Sequence, residues 1–342
     1  MNWAEGAVLG LVQGLTEFLP VSSSAHLRVV AALAGWDDPG AAFTAVTQLG
    51  TAAAVMVYLR ADIARLGRAW LRSLAGPVPG QLTALGARPG PEMRPGSGSY
   101  SNPAPDPALA ADARLTWLII FGTVPIGAVG YLFEDVIKGR FRDLRLTAGA
   151  LAGVGALLGA ADSLTARRAV RGGAMTIGGA PRGGRPLAEL SVRDGLLIGL
   201  AQAAALVPGV SRSGATIGGG LLLRYSREAA ARYSFLLAVP AVLVSGTFGL
   251  HRLYREVRPH AATAATGATG ATGEAGERAA EPAWGPLVGA SVVAFVVGYA
   301  AIAWFLRYVS AHGFAPFVVY RIGLGLLLLA LVLGGRIPAT PA

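Results

Sequence analysis

The stretch Gly10-Leu11-Val12-Gln13-Gly14-Leu15-Thr16-Glu17-Phe18-Leu19-Pro20-Val21-Ser22-Ser23-Ser24-Ala25-His26 decides the fold. It lies in an apolar run, Ala7–Leu33, yet carries a carboxylate, a proline and three consecutive serines. Proline removes a backbone donor and disfavours helix at the residue before it. A polar, broken backbone survives at membrane depth only where protein or a water-filled cavity surrounds it. The stretch therefore reads as a re-entrant helix–loop–helix that enters and returns on one side, rather than as a kinked span.

A second such segment follows. Leu196–Leu223 is apolar but broken by Pro208-Gly209 and Ser211-Arg212-Ser213. A gapless shift of 189 positions lays Gly10-Leu11-Val12-Gln13 on Gly199-Leu200-Ala201-Gln202, and Val21-Ser22-Ser23-Ser24-Ala25 on Val210-Ser211-Arg212-Ser213-Gly214. The two segments are copies of each other.

Composition sets the solvent. Of 342 residues 53% are hydrophobic and only 14% charged, with a mean hydropathy of +0.53, against a globular norm of roughly 25% charged. So few charges cannot cover a soluble chain of this length, which points to lipid. The absence of cysteine excludes a disulfide scaffold, thiol catalysis and cysteine-ligated zinc or iron–sulfur. The net charge of +10 comes from basic residues placed mostly between apolar runs, the pattern of membrane topology rather than of a nucleic-acid groove. No Lys or Arg precedes the first apolar run, so the N-terminus reads as part of the mature fold rather than a cleaved signal.

Uncharged stretches predict six crossings: Pro39–Leu59, Leu115–Phe133, Leu146–Ala161, Tyr233–Leu250, Trp284–Leu306 and Ile322–Gly335, the last beginning near Phe314 and tolerating Arg321. The expected fold is an all-α integral membrane protein of six transmembrane helices plus two re-entrant helix–loop–helix segments. It forms a single membrane domain over 1–342, with one repeat over 1–162, a connecting loop over 163–192 and a second repeat over 193–342. Three crossings per half force the copies into opposite orientations, an inverted repeat whose broken helices meet near the midplane. With Met1 on one side, the opposite side collects seventeen Lys and Arg against ten. That opposite side is expected to be cytoplasmic, with both termini outside. The stretches Gly76–Asp112, Arg171–Pro186 and Ala261–Glu281, rich in Gly, Pro, Arg, Ala or Thr, read as solvated loops.

The polar residues of the broken segments carry the chemistry. Gln13 and Glu17, four apart, share a helical face, and an ionisable group at membrane depth is by default a functional candidate. Ser23 and His26, three apart, can share a face. One of Ser22, Ser23 and Ser24 is expected to cap the returning helix. Arginine at membrane depth costs roughly 2.5–3.5 kcal/mol on insertion scales, so Arg212 calls for an anion, and its guanidinium fork matches phosphate or carboxylate oxygens. Ser211, Ser213 and Thr216 add hydroxyls, and Gly209 and Gly214 admit a close backbone approach. A carboxylate, serines, a histidine and an arginine on two converging loops suit phosphoryl transfer or hydrolysis. An Arg212–Glu17 ion pair that merely ties the halves together is the plainer account. No phosphate loop ending in Lys-Ser/Thr occurs, which argues against a nucleotide. One carboxylate plus substrate phosphates leaves room for a divalent cation, Mg or Ca, on Glu17.

These motifs resemble the undecaprenyl-diphosphate phosphatases, the bacitracin-resistance family. Gln13 to His26 resembles the family's first signature, and Pro208 to Thr216 matches its second, Pro-Gly-x-Ser-Arg-Ser-x-x-Thr. Phe43–Val55, Tyr233–Pro240 and Pro316–Arg321 also look like family sequence. The resemblance implies a multi-pass enzyme of the bacterial inner membrane, its site opening to the periplasmic or extracellular side. It would hydrolyse undecaprenyl diphosphate to the monophosphate and phosphate, recycling the lipid carrier for cell-wall synthesis. Glu17, Ser23, His26 and Arg212 would be catalytic, and Gln13, Ser22, Ser24, Ser211, Ser213 and Thr216 would contact phosphate. Many members have glutamate where this chain has Gln13, and a frequent glycine is Ala25 here. The rival is an inverted-repeat transporter of an anionic small molecule or lipid, which would not need a serine–histidine cluster beside a buried glutamate. The partners implied are the polyprenyl diphosphate and the membrane, with no nucleic acid.

Overall fold

The computed structural model describes residues 1–75, 106–133, 143–173, 176–177, 180–181, 183–265 and 284–340. Apart from a two-residue ribbon, Thr176–Ile177 against Ala180–Pro181, and short 3-10 turns at Leu187–Glu189 and Ala204–Leu206, its regular elements are α-helices. In chain order these are α1 Trp3–Phe18, α2 Ser23–Ala34, α3 Gly40–Tyr58, α4 Arg60–Ala75, α5 Pro107–Leu132, α6 Leu144–Arg171, α7 Val192–Ala203, α8 Arg212–Leu222, α9 Arg227–Ala265, α10 Trp284–Val309 and α11 Ala315–Leu333.

Both broken segments are helix pairs, and the break falls at the proline each time. α1 stops at Phe18, ahead of Pro20, and α2 resumes at Ser23. α7 gives way to the 3-10 turn Ala204–Leu206 ahead of Pro208, and α8 starts at Arg212. The likeness extends to the caps. The Asn2 side chain accepts from the Glu5 N–H at 2.9 Å, and Ser191 Oγ accepts from the Asp194 N–H at 3.1 Å, each satisfying an orphan donor of its helix.

Among the described residues, five helical stretches are long and apolar enough to cross a membrane: Pro107–Leu132, Leu144–Arg171, Arg227–Thr247, Trp284–Val309 and Ala315–Leu333. The sixth expected span, Pro39–Leu59, is the helix Gly40–Tyr58, whose apolar part Phe43–Tyr58 is shorter. Other boundaries also move. α6 runs on to Arg171, beyond the expected Ala161 and into the connection read as 163–192, because Asp162 and Thr165 are buried with partners. Asp162 accepts from Arg227 Nε at 2.6 Å and from the Phe314 N–H at 3.0 Å. α5 starts at Pro107, inside the loop expected to end at Asp112, because Asp106 caps it and proline is tolerated at N1. Helix α9 reaches Ala265, past the expected start of the Ala-Thr-Gly loop. The rest of that loop, 266–281, the stretch 76–105 and residues 174, 175, 178, 179 and 182 of the Arg171–Pro186 loop lie outside the described residues, and with them Arg88, Arg94, Lys138, Arg140, Arg142, Arg182 and Arg278 from the charge count.

Small residues set the contacts. Gly6, Gly10 and Gly14 of α1 lie on Pro286, Ala290 and Ala294 of α10, and Gly195 and Gly199 of α7 on Leu118 and Gly122 of α5. Glycines four apart let helix backbones approach closely in lipid, where van der Waals packing rather than hydrophobic force holds helices together. Residue numbers rise together in both pairs, so these helices run parallel. α3 also runs parallel to α10, with Gly50 at Ser291 and Thr51 and Ala54 at Gly298. α5 does so to α9, with the Tyr233 hydroxyl donating to the Leu118 carbonyl at 3.1 Å and Leu237 lying on Gly122. α3 and α9 instead run antiparallel: Leu49 meets Gly246, while Ala52 clusters with Ala238 and Val242. α6 and α11 are antiparallel as well, Gly159 meeting Val318 and Ala152 meeting Gly325.

The main apolar core lies behind the two breaks, where Phe18 meets Phe235 edge-on at 5.5 Å and Phe305 lies 5.8 Å beyond. Near the start of α7, Asp194 accepts from Arg185 Nη1 at 2.8 Å and from the Tyr225 hydroxyl at 2.6 Å. Burial and then the bond to Asp194 push that phenol up to about 12, so it stays a donor through the neutral range.

Candidate active site

The two breaks meet. Ser213 Oγ, on α8, donates to the carbonyl of Leu19, in the first break, at 2.9 Å. The guanidinium of Arg321, 0% exposed, reaches from α11 to both. It donates to the Pro20 carbonyl at 2.9 Å, to Gly209 at 2.8 Å and Val210 at 2.9 Å, and to Leu151 of α6 at 3.3 Å. Broken helices leave carbonyls without intrahelical partners, and at membrane depth these must be satisfied by protein. Arg321 supplies that and thereby fixes the two loops to each other.

At equivalent positions the loops take an unusual turn. Ser22 (φ 75°) and Ser211 (φ 69°), 189 apart, have positive φ, a conformation costing on the order of 1–3 kcal/mol for a residue with a side chain. Each precedes the first residue of the helix that follows, Ser23 and Arg212, and both of those side chains reach Glu17.

There Glu17 is shared. One carboxylate oxygen, Oε2, accepts from Ser23 Oγ at 2.6 Å and from Gln13 Nε2 at 3.0 Å. The other, Oε1, forms an ion pair with the Arg212 guanidinium across the two halves. The group borders a cavity of about 580 Å³ whose polar wall is Glu17, Ser22, Ser23, Ser24, Ser211 and Arg212. Its remaining wall is mostly apolar, with Ile126, Gly127, Gly130 and Tyr131 of α5, Leu206, and Ala241 and Val244 of α9, plus Gln48, Thr123 and Ser245 as polar points. A polar end and an apolar body suit a ligand with a charged head and a hydrocarbon tail.

The expected site residues thus fall into two groups. Glu17, Ser22, Ser23, Ser24, Ser211 and Arg212 line the cavity. Gln13, His26, Ser213 and Thr216 are buried behind it. Thr216 donates to the Arg212 carbonyl at 2.8 Å and bonds Ser234 at 2.6 Å. Ser211 Oγ accepts from the Gly214 N–H at 3.2 Å, capping α8, and bonds Ser213 at 3.1 Å. Both ring nitrogens of His26 are engaged, Nδ1 with the Ser22 carbonyl and Nε2 with the Tyr320 hydroxyl, each at 2.7 Å. The serine expected to cap the first returning helix does not bond it: Ser22 holds the N-cap position, and its Oγ faces Ser24 Oγ at 3.3 Å.

Sequence reasoning missed Gln48, Thr123, Ser245, Tyr320 and the work of Arg321. A charge in an apolar run was the available signal for Arg321; the others are ordinary polar residues in spans.

For a divalent cation, the described residues gather no three His, Asp or Glu side chains. One observation does fit an oxygen-seeking ion: the amide oxygen of Gln13, beside Glu17, is buried without a hydrogen-bond partner. It adds a hard ligand to the single carboxylate.

Residues 6–327 match a family described as bacitracin resistance protein BacA. The chain is 55% identical over 339 residues to undecaprenyl-diphosphatase 3 of Frankia alni, covering 99% of this chain and 98% of that one. It is 49% identical over 332 residues to undecaprenyl-diphosphatase 2 of Streptomyces coelicolor, covering 97% and 95%. With undecaprenyl-diphosphatase of Thermobifida fusca it shares 44% over 336 residues, covering 97% and 91%. The chain belongs to the bacitracin resistance protein family.

Proposed function

We propose that this family member hydrolyses undecaprenyl diphosphate to undecaprenyl phosphate and inorganic phosphate in the bacterial plasma membrane, restoring the lipid carrier for cell-wall synthesis. The observation that carries the reading is the Glu17 carboxylate held between the hydroxyl of Ser23 and the guanidinium of Arg212 at the polar end of the cavity. A base bonded to a nucleophile and facing a phosphate-matching cation is the minimum apparatus for phosphoryl transfer.

In this mechanism the terminal phosphate displaces Glu17 from Arg212, whose fork then holds two phosphate oxygens. Ser23 Oγ attacks the terminal phosphorus, its proton passing to Glu17, and the phosphoric anhydride bond breaks to release the prenyl monophosphate. Water then attacks the phosphorus of the serine phosphate ester, Glu17 returns its proton to Ser23 Oγ as the ester bond breaks, and phosphate leaves carrying the protons of the water. Arg212 and the Ser211 and Ser24 hydroxyls stabilise charge on the non-bridging oxygens. Glu17 with the Gln13 amide oxygen would hold a divalent cation, Mg or Ca, which when bound adds positive charge at the phosphate. The transporter alternative has no observation of its own in favour.

The same reading takes the chain as six crossings and two re-entrant pairs, the halves inverted. The helix directions support it: α1 runs with α10 and α3, α7 with α5 and α9, and α3 against α9. The excess of basic residues on the opposite side, seventeen against ten, supports putting Met1, and with it the mouth of the site, on the outer face.

The test is phosphate release from undecaprenyl diphosphate by purified, detergent-solubilised protein, where no gradient exists to drive transport. Glu17→Gln and Arg212→Ala are each expected to lower kcat by about 10²–10⁴. Near-normal release by either variant would discard the assignment. Labelled terminal phosphate trapped on Ser23 by acid quench would be the covalent intermediate, and Ser23→Ala would abolish the label.

A further inference from the structure

His26 touches the reacting groups only through the backbone, and its contacts specify another task. The Ser22 carbonyl can only accept, so the proton of the Nδ1···Ser22 contact belongs to His26. With Nδ1 protonated, the neutral ring has a lone pair on Nε2, and there the Tyr320 hydroxyl donates at 2.7 Å. Tyr320 thus selects the tautomer that bonds Ser22. That carbonyl belongs to the Ser22–Ser23 peptide, held in the positive-φ turn that aims Ser23 at Glu17, 2.6 Å away. The imidazole borders none of the cavity that Ser22, Ser23 and Ser24 line.

We infer that Tyr320 and His26 are positioning residues: Tyr320 locks the His26 tautomer, and His26 clamps the strained Ser22 carbonyl so that the Ser23 hydroxyl stays on Glu17. The inference rests on Ser23 being the nucleophile of the proposed hydrolysis. His26 moves no proton in the reaction. Tyr320 and Arg321 are neighbours on α11, so one turn of this helix fixes both loops, Arg321 through carbonyls of each and Tyr320 through His26.

Asparagine separates positioning from proton transfer, because its amide can donate from about the place of Nδ1 but cannot titrate. His26→Asn is expected to keep kcat for undecaprenyl diphosphate within about tenfold of the parent, whereas His26→Ala loses about 10² or more. Tyr320→Phe is expected to lower kcat roughly three- to tenfold at unchanged KM, and to cost nothing further on the His26→Asn background, where no tautomer remains to select. Melting temperature and gel filtration in detergent establish that each variant is folded. A folded His26→Asn as inactive as His26→Ala, or a Tyr320→Phe that is fully active or acts additively with His26→Asn, overturns the inference. If neither His26 variant folds, Tyr320→Phe decides alone: a fall in kcat at constant KM supports the inference, and parental kcat sinks it. Should Ser23→Ala itself retain turnover, the hydrolysis mechanism fails instead, and that result is distinct from every outcome for His26.

Discussion

Arg321 directs its guanidinium at backbone. Its carbonyl partners come from α6, from the first break and from the second, so a single side chain ties three parts of the molecule. Removing it leaves these acceptors unpaired in a dry interior, at about 1–3 kcal/mol each before relaxation. Arg321→Met is expected to lower the melting temperature in detergent by several degrees and to reduce turnover as the loops separate. Arg321→Lys recovers part of the stability, since an ammonium donates to fewer carbonyls than the fork does. A Met variant with the parental melting curve would show that the carbonyls find other partners. At this scale Glu17, Ser23 and Arg212 were legible from the sequence, because a charge or serine cluster at membrane depth is conspicuous. Tyr320 was not, because its partner lies 294 residues away and a tyrosine near a span end is unremarkable. His26 was legible as a candidate, but the two atoms its ring meets, the Ser22 carbonyl and the Tyr320 hydroxyl, were not.

Helix packing depends on what is missing from side chains. A methyl at Gly10 would run into the carbonyl of Ala290, and one at Gly199 into that of Gly122. A methyl at Gly127, on the cavity wall of α5, would meet nothing within 4 Å. Gly10→Val is therefore expected to force α1 from α10 and to yield unfolded or aggregated protein, on the scale of an overpacked core, roughly 1–3 kcal/mol or more. Gly127→Ala should be tolerated in folding, as gel filtration of the two variants side by side would check. Equal behaviour would mean the stripe is incidental. Helix breaks at Pro20 and Pro208 were plain in the sequence because proline acts through its own backbone. Helix ends were less so: hydropathy stops at the first polar residues, whereas α6 runs on through Asp162 and Thr165, whose polarity is satisfied by Arg227 and by backbone carbonyls.

The orientation of the halves is a property of the whole chain. If α1 and α7 enter from opposite membrane faces, equivalent positions near their starts must answer to reagents on opposite sides. The chain holds no cysteine, so a single introduced thiol reports without background. Ala4 and Arg193 are both exposed and stand 189 apart, one residue before Glu5 and Asp194 in their helices' first turns. In intact cells A4C is expected to react with a membrane-impermeant maleimide, and R193C only after permeabilisation. The basic residues set that sense: Arg167, Arg168, Arg171 and Arg193 cluster where α6 ends and α7 begins, and cationic loops are retained in the cytoplasm. Labelling of both positions from one side would contradict the inversion itself. Labelling of R193C from outside and A4C only from within would keep the inversion and reverse the membrane sense, moving the mouth of the Glu17–Arg212 cavity to the cytoplasmic face, where a diphosphate lipid left on the outer leaflet could not reach it.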